Sequence, residues 1–147
     1  MDYVENAPFF WRYDLTADAD IVVVEYNSLF GAERAISIPY QPDFVRTSVH
    51  HSNLYFGASL AALYDLALEK RYAFVGCNQA GNNAYFVKKE KLNGLPALTV
   101  KEGFIAARLR ESRNQTDQLT FLGEKARREI ILGLPVINVK PGKQEVL

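Results

Sequence analysis

Metal-binding and redox residues are scarce, with one cysteine and two histidines among 147 residues. Cys77 has no second cysteine to pair with, which excludes a disulfide within the chain. One thiol and the adjacent His50 and His51 also fall short of the four ligands of a structural zinc site. We therefore predict no metal site.

Long apolar runs are absent as well. A transmembrane helix needs roughly 20 consecutive apolar residues, and the chain contains no such run. Its first five residues lack the basic and apolar regions of a secretory signal. We therefore expect a cytoplasmic protein with no membrane partner.

Signatures of nucleotide and nucleic-acid binding are also missing. Neither a G-x-G-x-x-G loop nor a Walker loop occurs, and the basic residues are too dispersed to predict a nucleic-acid partner. The 17 acidic and 17 basic residues cancel, yet residues 1–33 hold seven acids and one base. This asymmetry is typical either of an anionic ligand or partner, or of attraction between two parts of one surface.

What is present is the composition of one globular domain, with 48% hydrophobic and 23% charged residues. We divide residues 1–147 into an N-terminal segment (1–19), a core (20–92) and a less regular helical tail (93–147). Residues 20–27 contain a continuous run of β-branched residues at 21–24. Such a run is typical of a strand covered on both faces, in the middle of a mostly parallel sheet.

In the core, the first predicted strand is followed by a helix and then by a hairpin. Residues 60–70 are rich in strong helix formers and predict a helix. Residues 72–77 and 83–88 predict two strands joined by a Gly- and Asn-rich turn. We therefore expect one right-handed crossover between parallel strands, followed by an antiparallel hairpin.

Weaker signals mark the tail. Thr99 and Glu102 form a capping-box pattern, which predicts a helix to about Glu111. Residues 123–132 predict a second helix that Gly133 ends. Residues 134–139 predict a last strand at a sheet edge.

Polar residues at the end of the first strand are the first candidate site. Glu25, Tyr26 and Asn27 lie at its carboxyl end, the rim at which open α/β sheets bind ligands. The alternative is structural, with Glu25 capping a neighbouring helix or pairing with an arginine. The amides of Asn78 and Asn82 suit a polar ligand too, although a hairpin turn needs the same residues for its shape.

The segment before the predicted helix is the second candidate. Tyr55, Gly57 and Ser59 lead into a helix amino terminus, which favours an anion. A serine hydrolase would use Ser59 as the nucleophile with His50 or His51 as the base. No strand directly precedes Ser59 and Ala61 stands where a nucleophile elbow has glycine, so an N-cap role for Ser59 is the stronger interpretation.

Several of these segments together resemble the carboxyl-terminal half of bacterial S-adenosylmethionine-dependent methyltransferases of the FkbM-like type. They are IVVVEYN at 21–27, FG at 30–31, IPY at 38–40, YFGASL at 55–60, VGCN at 75–78, GNNAYFV at 81–87 and LPV at 134–136. The resemblance implies an α/β fold with a partial Rossmann-like mixed sheet, in which parallel strands end in an antiparallel hairpin, followed by a helical tail.

The same resemblance implies S-adenosylmethionine as a cofactor, but the half that would hold it has no counterpart before Ile21. No cofactor-binding residue therefore carries over. The resemblance does extend to the polar residues at the strand ends, and it implies Glu25 as the candidate base. The candidate ligand-binding residues are Tyr26, Asn27, Tyr55, Gly57, Ser59, Asn78 and Asn82.

The leading hypothesis is thus a truncated methyltransferase-like domain that binds a small polar ligand or a partner chain. The alternatives are a non-enzymatic interaction module and a small serine hydrolase. A central strand without its earlier neighbours leaves backbone groups unpaired. We therefore expect a homo-oligomer, a second chain that supplies the missing half, or repair by residues 1–19.

Overall fold

Three antiparallel sheets and four helices make up the computed structural model, which describes residues 19–108 and 110–147. Short 3₁₀ turns occur at Ser28–Phe30 and Lys89–Lys91. In chain order the elements are β1 (Ile21–Glu25), β2 (Ile36–Ser37), α1 (Arg46–Val49), α2 (Leu60–Glu69), β3 (Tyr72–Cys77), β4 (Asn83–Lys88), α3 (Val100–Gly103), β5 (Ser112–Arg113), β6 (Leu119–Thr120), α4 (Glu124–Ile131), β7 (Pro135–Asn138) and β8 (Lys143–Val146).

The predicted Rossmann-like sheet is wrong. The first sheet has the order β1-β4-β3, and β4 is antiparallel to both of its neighbours. The β3–β4 hairpin forms as predicted, but its second strand lies between β1 and β3. These two strands therefore run in the same direction without pairing, and none of the described strands pairs in parallel. The fold is a small mixed α/β arrangement of antiparallel sheets.

The position of β1 also differs from the prediction. We expected a central strand, whereas β1 lies at the edge of its sheet. Val22 and Val24 face the core, while Ile21 and Val23 are 60% and 53% exposed. A run of β-branched residues favours extended backbone in either environment, so it did not distinguish an edge strand from a buried one.

Helix α2 forms over the predicted residues because its apolar side chains share one face. Leu60, Leu63 and Leu66 pack against Phe74 and Phe86 of the sheet. The Ser59 side chain accepts a hydrogen bond from the Ala62 N–H, which confirms the predicted N-cap. In the described parts of the chain, no helix combines the length and the apolar character needed to span a membrane.

A second sheet and core cluster lie beside the first, built from residues far apart in sequence. The strand order is β2-β7-β8, so β7 is central, although we expected an edge strand there. Its cluster includes buried residues of the irregular segment after β1. The buried members are Leu29, Phe30, Ile36, Ile38, Leu54, Tyr55, Ile131 and Val136.

The tail contains less helix than predicted. The capping box of Thr99 and Glu102 is present, but α3 ends at Gly103 rather than near Glu111. A Cβ atom at Gly103 would lie 2.4 Å from the Phe74 ring, so this turn lies directly against the sheet. Helix α4 forms within the predicted range, ending at Ile131.

The tip of the β3–β4 hairpin packs against the backbone that follows α3. Gly81 has φ +73°, and a Cβ atom there would lie 2.6 Å from the Ala106 carbonyl carbon and 2.7 Å from the Ala107 nitrogen. Gly94 has a similar φ of +86° with nothing within 4 Å. The two glycines thus share backbone strain and differ in the space around them.

We predict that Gly81→Ala lowers the free energy of unfolding by about 2 kcal/mol more than Gly94→Ala, because only the first substitution forces backbone apart. Gly94→Ala should cost about 1 kcal/mol from left-handed strain alone. Urea denaturation of both variants measures the difference. Equal losses would show that the hairpin tip does not contact residues 106 and 107.

Candidate functional site

A small pocket lies at the end of β1, and three of the predicted site residues line it. We call it the rim pocket. It has a volume of about 10 Å³, room for about one water molecule, between β1, the β3–β4 turn, the segment after α3 and helix α4. Its lining consists of Tyr26, Asn27, Ser28, Leu29, Phe56, Gly81, Asn82, Ala107, Arg110 and Arg127.

Arg127 is the most unusual lining residue because it is only 1% exposed. Its Nη2 donates hydrogen bonds to the Ala107 carbonyl at 2.6 Å and the Arg108 carbonyl at 3.3 Å. Its Nε and Nη1 are buried and have no acceptor among the described residues. Buried polar atoms without partners are rare, and leaving them on a charged group is costly.

The local charge balance adds to this cost. Burial lowers the pKa of the Arg127 guanidinium, Glu124 raises it in part, and the positive charge of Arg110 lowers it further. An arginine nevertheless keeps its proton in proteins. The rim pocket therefore contains a buried positive charge with unused donors.

Arg110 has a different role because its charge is neutralised. It forms an ion pair and hydrogen bond with Glu25, and both side chains are mostly buried. Its guanidinium also lies 4.7 Å from the centre of the Phe56 ring, and Arg46 lies 4.0 Å from the same ring. Glu25 is thus engaged by an arginine, the structural alternative given for it.

Tyr26 and Asn27 hold the end of β1 in place. The Tyr26 hydroxyl donates to the Ile105 carbonyl, and burial with the Cys77 contact raises its pKa well above the usual value. Asn27 Nδ2 donates to the carbonyls of Leu54 (2.8 Å) and Phe56 (3.1 Å). Its Oδ1 accepts from Leu29 N–H at 3.2 Å, so the hydrogen-bonding groups of this amide are occupied by backbone.

The predicted site residues Tyr55 and Gly57 are not part of the rim pocket lining. The Tyr55 hydroxyl donates to the Pro135 carbonyl in the second core cluster, and burial raises its pKa to about 12. Gly57 has φ +65°, and its carbonyl accepts from Ile38 N–H at 3.0 Å. Both residues join the β2-β7-β8 sheet to the loop before α2.

Ser59 is fully engaged in hydrogen bonds. Its Oγ donates to the Arg34 carbonyl at 2.7 Å and accepts from the N–H groups of Ile36 and Ala62, both at 3.1 Å. His50 Nδ1 instead contacts the Ser52 hydroxyl at 2.7 Å. The structure therefore shows no hydrogen bond between the residues of the hypothetical hydrolase pair.

Asn78 and Asn82 shape the hairpin turn. Asn78 Oδ1 accepts from the N–H groups of Asn82 (3.2 Å) and Asn83 (3.1 Å), and its Nδ2 donates to Asn82 Oδ1 at 2.7 Å. The Asn82 carbonyl accepts from Tyr26 N–H at 2.8 Å. This last bond brings the turn to the end of β1 and makes Asn82 a wall of the rim pocket.

An open groove of about 580 Å³ also borders Arg127. The segment after α3 contributes most of its lining, and Glu124 lies at its border. The lining combines the apolar side chains of Phe104 and Ile105 with charged residues. The groove is lined by Phe104, Ile105, Ala106, Ala107, Arg108, Glu124 and Arg127.

Sequence reasoning did not identify Arg110 and Arg127. For Arg127 a signal was present, since it precedes Ile131 by four residues and so shares the buried face of α4. A basic residue on an apolar face is an anomaly that the periodicity alone reveals. For Arg110 no comparable signal exists, because it lies in irregular backbone.

No protein-family model, curated protein or solved structure matches the chain. Within residues 19–108 and 110–147, no group of three or more His, Cys, Asp or Glu residues could hold a metal ion. Function is therefore inferred from the geometry of the rim pocket and the adjoining groove.

We predict that Asn27→Asp lowers the free energy of unfolding by more than about 3 kcal/mol, because a buried carboxylate would face two carbonyl oxygens. Thermal or urea denaturation measures the loss. Asn114→Asp is the matched control, since the Asn114 Oδ1 accepts three bonds at an exposed turn. It should change stability by less than about 0.5 kcal/mol. Similar losses in both variants would contradict the anchoring role of Asn27.

Proposed function

We propose that this chain is a binding module for a small carboxylate, whose anionic group contacts Arg127 from the adjoining groove. The observation that carries the proposal is the pair of buried, unpartnered nitrogen atoms of this guanidinium. A carboxylate would accept hydrogen bonds from such donors and compensate the buried charge. Water could fill the same space but would leave the charge uncompensated.

The sizes of the two spaces favour binding in the groove. The rim pocket, at about 10 Å³, has room for about one water molecule and cannot enclose a carboxylate. The groove, at about 580 Å³, is within the roughly 300–1,000 Å³ of pockets that enclose small molecules. It offers Phe104, Ile105 and Ala106 to an apolar substituent.

S-adenosylmethionine, the cofactor implied by the resemblance, does not fit this site well. Its carboxylate matches Arg127, but its sulfonium is a cation, and the site already contains the incompletely compensated guanidinium of Arg127. Like charges in a poorly solvated space repel strongly. We therefore derive no methyl-transfer step from these residues, and the methyltransferase relationship stays a prediction.

Binding without catalysis is our proposal because the reactive groups predicted from the sequence have partners. Glu25 is paired with Arg110, and the Ser59 hydroxyl donates to a backbone carbonyl. A general base or nucleophile needs a free lone pair directed at a substrate. The hydrolase hypothesis, the cytoplasmic location and the homo-oligomer likewise stay predictions.

The test is titration of the full chain with acetate and butyrate at constant ionic strength, followed by calorimetry and by amide NMR shifts of residues 105–108 and 127. We expect Kd values on the order of 1 mM for so small a ligand. Butyrate should bind more tightly than acetate because its tail buries apolar surface in the groove.

Arg127→Met should abolish this binding and change the free energy of unfolding by less than about 1.5 kcal/mol, because it removes an incompletely compensated buried charge. Arg127→Lys should weaken binding at least about tenfold, since an ammonium does not reproduce the guanidinium geometry. Arg128→Met is the matched control, on an exposed neighbour in the same helix. Equal binding by all four proteins, or an equal response to chloride, would reject the proposal.

A further inference from the structure

An exposed turn between β4 and α3 has Asn93 and Gly94 at its tip. They form the only Asn-Gly pair in the sequence. Their φ angles are +45° and +86°, and the Leu95 N–H donates to the Leu92 carbonyl at 2.8 Å. Positive φ at both central residues of a four-residue turn is typical of type I′, in which Asn followed by Gly is favoured.

An asparagine that precedes glycine is chemically labile. The backbone nitrogen of the following residue can attack the side-chain amide carbon, which closes a succinimide ring. Most residues hinder this attack with their own side chain, and glycine has none. Asn93 therefore has the neighbour that allows the reaction, and whether the fold allows it depends on the freedom of the turn and of the Asn93 side chain.

The surroundings of the turn leave room for ring closure. The peptide group between the two residues must rotate towards the Asn93 side chain, so that the Gly94 nitrogen reaches Cγ. Both residues are exposed, and a Cβ atom at Gly94 would have nothing within 4 Å. The Leu92–Leu95 hydrogen bond closes the turn at the surface, where local opening costs little free energy.

The Asn93 side chain is also less restrained than other asparagine side chains. The hydrogen bonds among residues 19–108 and 110–147 do not include it. A hydrogen-bonded amide is held away from the nitrogen that would attack it. Five other asparagine side chains in the described parts of the chain are held in this way, and none precedes glycine: Asn27, Asn78, Asn82, Asn114 and Asn138.

We propose that Asn93 is a site of spontaneous deamidation. The Gly94 nitrogen forms a bond to Asn93 Cγ, the Cγ–Nδ2 bond breaks, and Nδ2 leaves as ammonia with the proton that the Gly94 nitrogen loses. Water then opens the succinimide at Cγ, which gives isoaspartate or aspartate depending on the carbonyl attacked: attack at Cγ gives aspartate, and attack at the backbone carbonyl carbon gives isoaspartate. In total, one amide and one water become one carboxylic acid and ammonia, without oxidation or reduction.

The two products affect the turn differently. Each adds one negative charge to a chain whose 17 acidic and 17 basic residues cancel. Aspartate keeps the backbone intact and tolerates positive φ. Isoaspartate places the side-chain methylene in the backbone, which changes the spacing of Leu92 and Leu95 and removes the hydrogen bond between them.

The test is incubation of the full chain at mildly alkaline pH, followed by peptide mass spectrometry with fragmentation that distinguishes aspartate from isoaspartate. We expect the peptide that contains Asn93 to gain one mass unit as a mixture of both products. The rate should rise with pH, since the Gly94 nitrogen loses its proton in the attack. Gly94→Ala should slow the conversion more than about tenfold, because its Cβ hinders the attacking nitrogen.

Gln115→Gly is the matched control, because it gives Asn114 a glycine neighbour too. The Asn114 Oδ1 accepts three hydrogen bonds, and its Nδ2 donates one to Gln118 at 3.2 Å. In this variant Asn114 should convert at least about tenfold more slowly than Asn93 in the folded chain, and the difference should disappear in urea.

Three outcomes would overturn the proposal. The first is no conversion at Asn93, or a rate that Gly94→Ala leaves unchanged. The second is equal conversion of Asn93 and Asn114 in the folded Gln115→Gly variant. The third is a rate difference that persists in urea, because its cause would then lie in the sequence rather than in the fold.

Discussion

The pairing of β1 with β4 is the constraint on which the rim pocket depends. Because β4 returns from the hairpin and lies beside β1, the turn residue Asn82 reaches the end of β1 and closes one wall of the rim pocket. The same pairing occupies only one edge of β1 and leaves Ile21, Val23 and Glu25 with outward backbone groups. The pairing of these two strands, which are distant in sequence, thus determines the position of the pocket and leaves the other edge of β1 without a partner among the described strands.

Local signals predicted the elements of this fold, and non-local pairing determined how they are arranged. Helix α2 and the two hairpin strands follow from periodicity, an N-cap serine and a turn sequence, all within a few residues of one another. Strand order depends on competition between partners distant in sequence, and residues 21–24 suit either neighbour. Strands β5, β6 and β8 escaped prediction because they are short and largely polar, with no run of apolar residues to reveal them.

The candidate site was predictable only in part, for a related reason. Tyr26, Asn27 and Asn82 were placed at one rim by the expectation that polar residues gather where strands end, and the structure brings them together even though the sheet differs. Arg110 and Arg127 reach the pocket from the tail, about 80 to 100 positions later, through contacts that no local pattern encodes. Gly103 contributes to this outcome, since the chain leaves the helix there and runs extended towards the pocket.

Whether a polar side chain has all its hydrogen-bond partners is a better guide to candidate binding residues than its residue type. Asn27 and Ser59 resemble ligand-binding groups in the sequence, yet their side chains are occupied by backbone partners. Arg127 resembles an ordinary helix residue, yet it retains buried donors.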